Sequence, residues 1–316
     1  MTKHYKHWII ACSLLGIFSC TSSVKNNKQV FHFNMAEGLE TLDPAFAKNL
    51  NIMWMVHQLY NTLVEVDNQL NIRPSLATRW EISPDGKTYT FYLRGDVYFQ
   101  DDPAFPNGKG RRLTAQDVVY SFRRIMNPKT ASAGAWIFND KIDPQKGFRA
   151  INDTTFQLTL LKPFHPILEI LTMQYCSIVP HEAVEKYGKD FRRHPCGTGP
   201  FQFKYWDEGQ TLILVKNPHY FETDSAGHHL PYLDAVKATF IDSKATEFLQ
   251  FLQGQLDFMK DIDASYKDEV LTKSGRLQKE FRGKIILSIT PYLNVEYLGF
   301  LLDTNNALIK NSPVSL

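Results

Sequence analysis

The side chains in this sequence that could do chemistry are few and scattered. Carboxylates pair at Asp101-Asp102 and again at Asp261 and Asp263, and two imidazoles adjoin at His228-His229. Acid–base catalysis needs two carboxyls held in different environments across one reacting bond, and adjacency in sequence does not provide that. Solvated surface carboxylates are the ordinary state of such residues. The two histidines close a Gly-, Ser- and Asp-bearing stretch, Glu222 to His229, which reads as an exposed loop. There is no GxSxG nucleophile elbow, no HExxH pair and no GxxxxGK phosphate loop. Two GxG strings, Gly108-Lys-Gly110 and Gly197-Thr-Gly199, lack the third glycine of the dinucleotide fingerprint. The chain is therefore expected to bind rather than to catalyse, with no cofactor and no metal.

Composition narrows the partner. Across 316 residues the formal net charge is +2, so no basic excess points to nucleic acid. Hydrophobic residues make up 43%, enough for a substantial core. At the amino terminus Lys3 and Lys6 precede an uncharged run, Trp8 to Phe18. That run is shorter than the ~20 apolar residues of a membrane-spanning helix and has the proportions of a signal-peptide core. Ile17-Phe18-Ser19-Cys20 follows and resembles a bacterial lipoprotein signal, with an aliphatic residue at minus three and a small one at minus one before cysteine. Residues 1–19 are thus expected to leave and Cys20 to carry the lipid that attaches the exported protein to a membrane. Residues 20–33 follow as a tether, polar and without apolar periodicity up to Gln29, then alternating at Val30-Phe31-His32-Phe33 as a strand would. Of the four cysteines, Cys12 goes with the signal, leaving Cys176 and Cys196. These flank a short helix and read either as a disulfide between neighbouring strands or as two small buried thiols.

The elements that must position any binding residue are more legible. Met53, Val56, His57, Tyr60 and Leu63 recur at helical spacing and predict a helix over 51–66. Ser83-Pro84-Asp85-Gly86 is a strong turn signal leading into Lys87–Leu93, where Tyr89, Phe91 and Leu93 alternate with polar neighbours as in a half-buried strand. Thr114 reads as a helix N-cap with Asp117 at the third helical position, and Asn127-Pro128 stops that helix. Thr155–Leu160, Phe201–Tyr205, Thr211–Val215, Ala238–Ile241, Ile285–Ile289 and Val295–Leu302 alternate as strands. Pro180 opens a short helix that Gly188 ends, and Ala245–Gln253 is a further helix stopped by Gly254. Helices and strands interleave without a repeat, which predicts an α/β protein of at least two lobes.

One ordered set of strings goes further. Leu42-Asp43-Pro44 is followed by Leu76-Ala77, Trp80-Glu81, Asp85-Gly86-Lys87-Thr-Tyr-Thr-Phe91 and Leu93-Arg94. Then come Leu113-Thr-Ala-Gln-Asp117, Gly197-Thr-Gly199-Pro-Phe201, Asn217-Pro-His-Tyr-Phe221, Leu230-Pro-Tyr-Leu-Asp234 and Gly254-Gln-Leu-Asp257. In this order and spacing they resemble the extracellular solute-binding proteins of the oligopeptide, dipeptide and nickel ABC importer class, solute-binding protein family 5. The resemblance runs from about residue 30 to the end.

The resemblance implies a two-lobed periplasmic-binding-protein type II fold that encloses its ligand, with an extra β-rich subdomain on lobe one. Residues 34–62 and 176–265 would form the first ligand-binding lobe, 63–175 the subdomain, and 266–316 the start of a second lobe. That second lobe normally continues well past Asp303-Thr-Asn-Asn306, so most of it is expected to be missing. By the same resemblance Glu37 and Leu39 lie where a peptide backbone is met, and Trp136 where an aromatic approaches it. Asp261, Tyr292 and Tyr297 are further ligand-contact candidates. The implied partners are a peptide, or else a nickel complex or another small solute, and the permease subunits of an importer, with the binding protein acting as a monomer. A surface-binding lipoprotein that does not transport is the alternative.

Overall fold

The computed structural model describes residues 28–289, 295 and 297–299. Contacts divide the chain into two compact units, one reaching Lys260 and one starting at Asp261. No helix among the described residues is long and apolar enough to cross a membrane.

The first unit is organised around two four-stranded sheets and a short hairpin. Strand β1 (Val30–Asn34) opens the chain. After helix α1 (Leu50–Leu59) come the hairpin strands β2 (Val64–Val66) and β3 (Ile72–Pro74), then β4 (Ala77–Ile82) and β5 (Thr88–Leu93). Helix α2 (Ala115–Met126) leads to β6 (Phe148–Asn152), β7 (Thr155–Thr159), α3 (Ile167–Ile170) and α4 (His181–Tyr187). The unit closes with β8 (Phe201–Asp207), β9 (Thr211–Lys216), β10 (Ala235–Thr239) and α5 (Lys244–Leu252). One sheet has the order β1-β10-β9-β8, with β1 parallel to β10 and the other pairs antiparallel; the other runs β4-β5-β7-β6, all antiparallel.

Alternation explains the second sheet. Tyr89, Phe91 and Leu93 of β5 are buried and Phe156 and Leu158 of β7 lie beneath the same face. Helix α2 packs on that face through Phe122, whose ring meets Phe138 at 4.9 Å, Phe148 at 5.5 Å and Phe156 at 5.6 Å. Each such fully buried ring stabilises by about 1.5–3 kcal/mol. The start of α2 is fixed by a capping box: the Asp117 carboxylate accepts the Thr114 N–H at 2.8 Å. The same carboxylate takes two bonds from Arg111, at 2.8 and 2.6 Å, and Arg111 also pairs with Glu182 on α4. One buried core joins both sheets through α1 and α2.

Local signals fail where tertiary partners intervene. The helix expected over 51–66 ends at Leu59, because Tyr60 turns extended and the Leu59 carbonyl accepts from Gly199 N–H at 3.0 Å. The strand read at Val30–Phe33 is most of β1, paired with Ala235–Thr239, so the tether boundary drawn at residue 33 falls inside a strand. That partner strand starts three residues before the expected 238–241 segment. Residues 285–289 form no strand beyond an isolated bridge at Ile285; an alternating segment needs a neighbour to take up its backbone groups, and Ile286 is 97% exposed. Of the expected strand at 295–302 only 295 and 297–299 are described, none of them in a strand.

Candidate functional site

A platform forms where the segment after β1 meets the loop after α2. β1 runs out at Met35, whose N–H still bonds Thr239 O at 2.8 Å, and the chain then turns at Gly38, at φ +66° with its N–H on Met35 O. Glu37 sits exposed on that turn and Leu39 is half-buried against the core just beyond it. Asp43 then anchors the chain from below. Its carboxylate accepts from Ala45 N–H at 3.0 Å and from both terminal nitrogens of Arg124 on α2, at 2.8 and 2.5 Å. Ser132 ties the second segment on: its hydroxyl donates to Ala45 O at 2.5 Å and accepts from Gly134 N–H. Gly134 lies against the Tyr175 ring so closely that an added Cβ would come within 2.6 Å of it. Two residues on, Trp136 stands 48% exposed, its carbonyl bonded to Lys141 Nζ at 2.7 Å. The result is an exposed indole and an exposed carboxylate on two loops bolted together, with little freedom left in their supports.

A second feature was not visible in the sequence. A cleft of about 340 Å³ opens where the end of α1, the β2–β3 hairpin and the 220–233 segment meet. Glu65 and Arg73 face each other across the hairpin, with Arg73 Nη2 2.5 Å from Glu65 Oε1. Glu222 stands opposite on the segment that carries Tyr220, whose hydroxyl accepts from Asn61 Nδ2 at 3.3 Å. Burial, with the Glu222 charge adding to it, pushes the Glu65 carboxyl up to about 7. Burial likewise pushes the Tyr220 hydroxyl far above its ordinary range. Neither Glu65 nor Glu222 carries a recognisable local signal; only the folded chain brings them together.

Comparison with known proteins gives the family. The family model for bacterial extracellular solute-binding proteins, family 5 (middle), matches residues 71–313. This chain belongs to that family. "Probable deoxycholate-binding periplasmic protein YgiS" of Escherichia coli K12 is 29% identical over 291 residues, 87% of this chain and 50% of the relative. The periplasmic oligopeptide-binding protein OppA of Salmonella typhimurium is 26% identical over 286 residues, 86% of this chain and 49% of its own. Among solved structures, DppA from Helicobacter pylori in complex with the peptide STSA is similar at a TM-score of 0.67 and 30% identity, covering 78% of this chain and 50% of that one. The chain spans about half the length of the curated relatives it matches. The mixed α/β fold is thus that of the type II periplasmic binding proteins, matched in part.

Within this family-5 chain the expected ligand contacts separate into three groups. Glu37, Leu39 and Trp136 belong to the first unit, on the two segments that Ser132 and Ala45 join. Asp261 and Tyr297 belong to the second unit, where Tyr297 is exposed. Tyr292 lies outside the described residues, as does Cys20. The disulfide reading of Cys176 and Cys196 is corrected: both are free and buried, and each thiol has its own acceptor. Cys176 Sγ meets Ile170 O at 3.7 Å and Cys196 Sγ meets Gln100 O at 3.5 Å, on opposite sides of α4's sequence. Burial drives both thiols well above their ordinary range, so neither is poised to react. The glycines of Gly197-Thr-Gly199 serve close packing. They let β8's entry press against the end of α1, where an added Cβ on Gly197 would lie 2.1 Å from Leu59 O.

Proposed function

We propose that this chain is the substrate-binding part of an ABC importer that captures peptides outside the membrane and hands them to permease subunits. It acts by binding, as an exported monomer attached through a lipid on Cys20. Residues 34–62 and 176–265 serve as the first lobe, 63–175 as its β-rich subdomain and 266–316 as the start of the second. Glu37, Leu39, Trp136 and Asp261 supply the contacts of the first lobe and its subdomain, and Tyr292 and Tyr297 those of the second.

The observation that carries the reading is the exposed Trp136 indole on a turn locked to the Asp43–Ala45 segment. An aromatic face on a rigid support offers contact area at little entropic cost, and an extended peptide can then be held through its main chain. The relatives named for oligopeptide binding, and the neighbour solved with the peptide STSA, support the peptide class. A second reading, a small apolar or anionic solute, has its support in the relative named for deoxycholate.

Photo-crosslinking tests the choice. A tetrapeptide library carrying a photoreactive side chain should label residues 35–48 and 132–138 on the purified chain. Trp136→Ala should weaken that labelling about tenfold, the usual loss of a contributing aromatic anchor of about 1.4 kcal/mol. Labelling by a photoreactive bile acid instead of peptide would favour the second reading, and peptide labelling confined to other segments would remove Trp136 from the site.

The anchor has its own test. In a bacterial host the protein should partition into detergent, and Cys20→Ala should release it or trap it as precursor. Identical fractionation of both forms as soluble mature protein would rule the lipid out.

A further inference from the structure

The cleft between α1, the β2–β3 hairpin and the 220–233 segment shares no residue with the peptide platform, and its lining has a definite chemistry. Two carboxylates, Glu65 and Glu222, face it, against a single guanidinium, Arg73. Glu65 is only 13% exposed at its side chain, and its Oε1, though in ionic contact with Arg73, receives no well-directed hydrogen bond. Glu222 shares the lining with Tyr220, which is itself buried and braced by Asn61, whose Oδ1 accepts from Thr198 at 2.9 Å. Phe201, Leu230 and Leu233 supply an apolar wall. The volume suits a small molecule at the lower end of the usual range of ligand pockets.

We propose that this cleft binds a small organic monocation: an ammonium or guanidinium head between Glu65 and Glu222, with a short alkyl body on Phe201, Leu230 and Leu233. With both carboxylates ionised the lining carries one net negative charge, which a buried site must compensate. A carboxylate or phosphate ligand would meet two like charges, and a neutral one would leave the imbalance in place. His57 on α1 adds no positive charge, because burial and Arg73 hold its imidazole below the ordinary range. The charged groups acting on Glu65 are Glu222 opposite and Arg73 on β3, and Asp67 at the hairpin turn draws on Arg73 as well. None of them neutralises the second carboxylate. Without a bound cation a proton can do so: burial, with the Glu222 charge adding to it, pushes Glu65 up to about 7. Cation and proton therefore compete for one place, and binding tightens as pH rises through that value.

Calorimetric titration of the full chain with butylammonium, and with butanol and butyrate as neutral and anionic isosteres, tests this. Butylammonium alone should bind, about tenfold more tightly at pH 8 than at pH 6, as follows when one carboxyl titrating near 7 must lose its proton. Glu222→Gln should weaken binding at least about tenfold. Glu65→Gln should weaken it and abolish the pH dependence; a cooperative thermal melt in each variant confirms that it is folded. Butyrate or butanol binding as well as butylammonium would overturn the proposal. So would butylammonium affinity unchanged in both variants, or no binding up to roughly 10 mM.

Discussion

Asp43→Ala is expected to lower the melting temperature of the protein by roughly 10 °C. The Asp43 and Arg124 side chains are 4% and 13% exposed, and the guanidinium meets the carboxylate through two parallel bonds. Removing the carboxylate leaves a guanidinium stranded below the platform, and breaking a buried pair from one side typically costs about 3–5 kcal/mol. In a unit of this size each kcal/mol moves the midpoint by about 2–4 °C. The loss should belong to the stranded charge and not to the pair as such. Asp43→Leu combined with Arg124→Met should therefore recover most of it, and a double-mutant cycle should show strong coupling. A cost under about 1 kcal/mol for the single change would mean that Arg124 reaches water when unpaired. Because Asp43 also accepts from Ala45 N–H, the single variant should loosen the turn that carries Trp136 as well.

Gly197→Ala should be a costly change, although it only exchanges a hydrogen for a methyl and leaves every charge in place. The new Cβ would meet Leu59 O at 2.1 Å and Tyr60 Cδ1 at 2.6 Å, and the backbone there cannot yield. Gly199 N–H bonds Leu59 O, and Gln100 N–H bonds Gly197 O at 2.9 Å, so both sides of the contact are fixed. Overpacking of this kind costs about 1–3 kcal/mol, and a clash with backbone belongs at or above the upper end. Gly95→Ala is the matched control. Nothing lies within 4 Å of its added Cβ, and the change should stay within about 0.5 kcal/mol. Chemical denaturation of the two variants decides it: equal midpoints would mean that β8 and α1 are not pressed together as described.

These two residues also show what could and could not be read from the sequence. Elements with a complete local signature were legible. The Thr114/Asp117 cap and the Asn127-Pro128 stop mark α2, and the Asp85-Gly86 turn with alternating aromatics marks β5. Elements whose limits depend on distant partners were not. Leu59 ends its helix because Gly199 arrives from far along the chain, and β10 begins three residues before the alternation that signals it. The platform was half legible: the motif Leu42-Asp43-Pro44 stood out, but that its aspartate clamps Arg124, 81 residues away, did not. The cleft was wholly silent, since Glu65, Arg73 and Glu222 are ordinary surface residue types until hairpin and loop bring them face to face.

The parallel pairing of β1 with β10 has a consequence in time. Gln29, just before β1, bonds a residue 205 positions later, and Asp257 closes over His32 later still. At about 5–20 residues per second of synthesis, the first strand is made some 10–40 s before its partner exists. Contacts of such long range are also the slow ones to close once both ends are present. Throughout that interval Phe31 and Phe33 have no partner strand to join, so this early segment stays open to chaperones the longest.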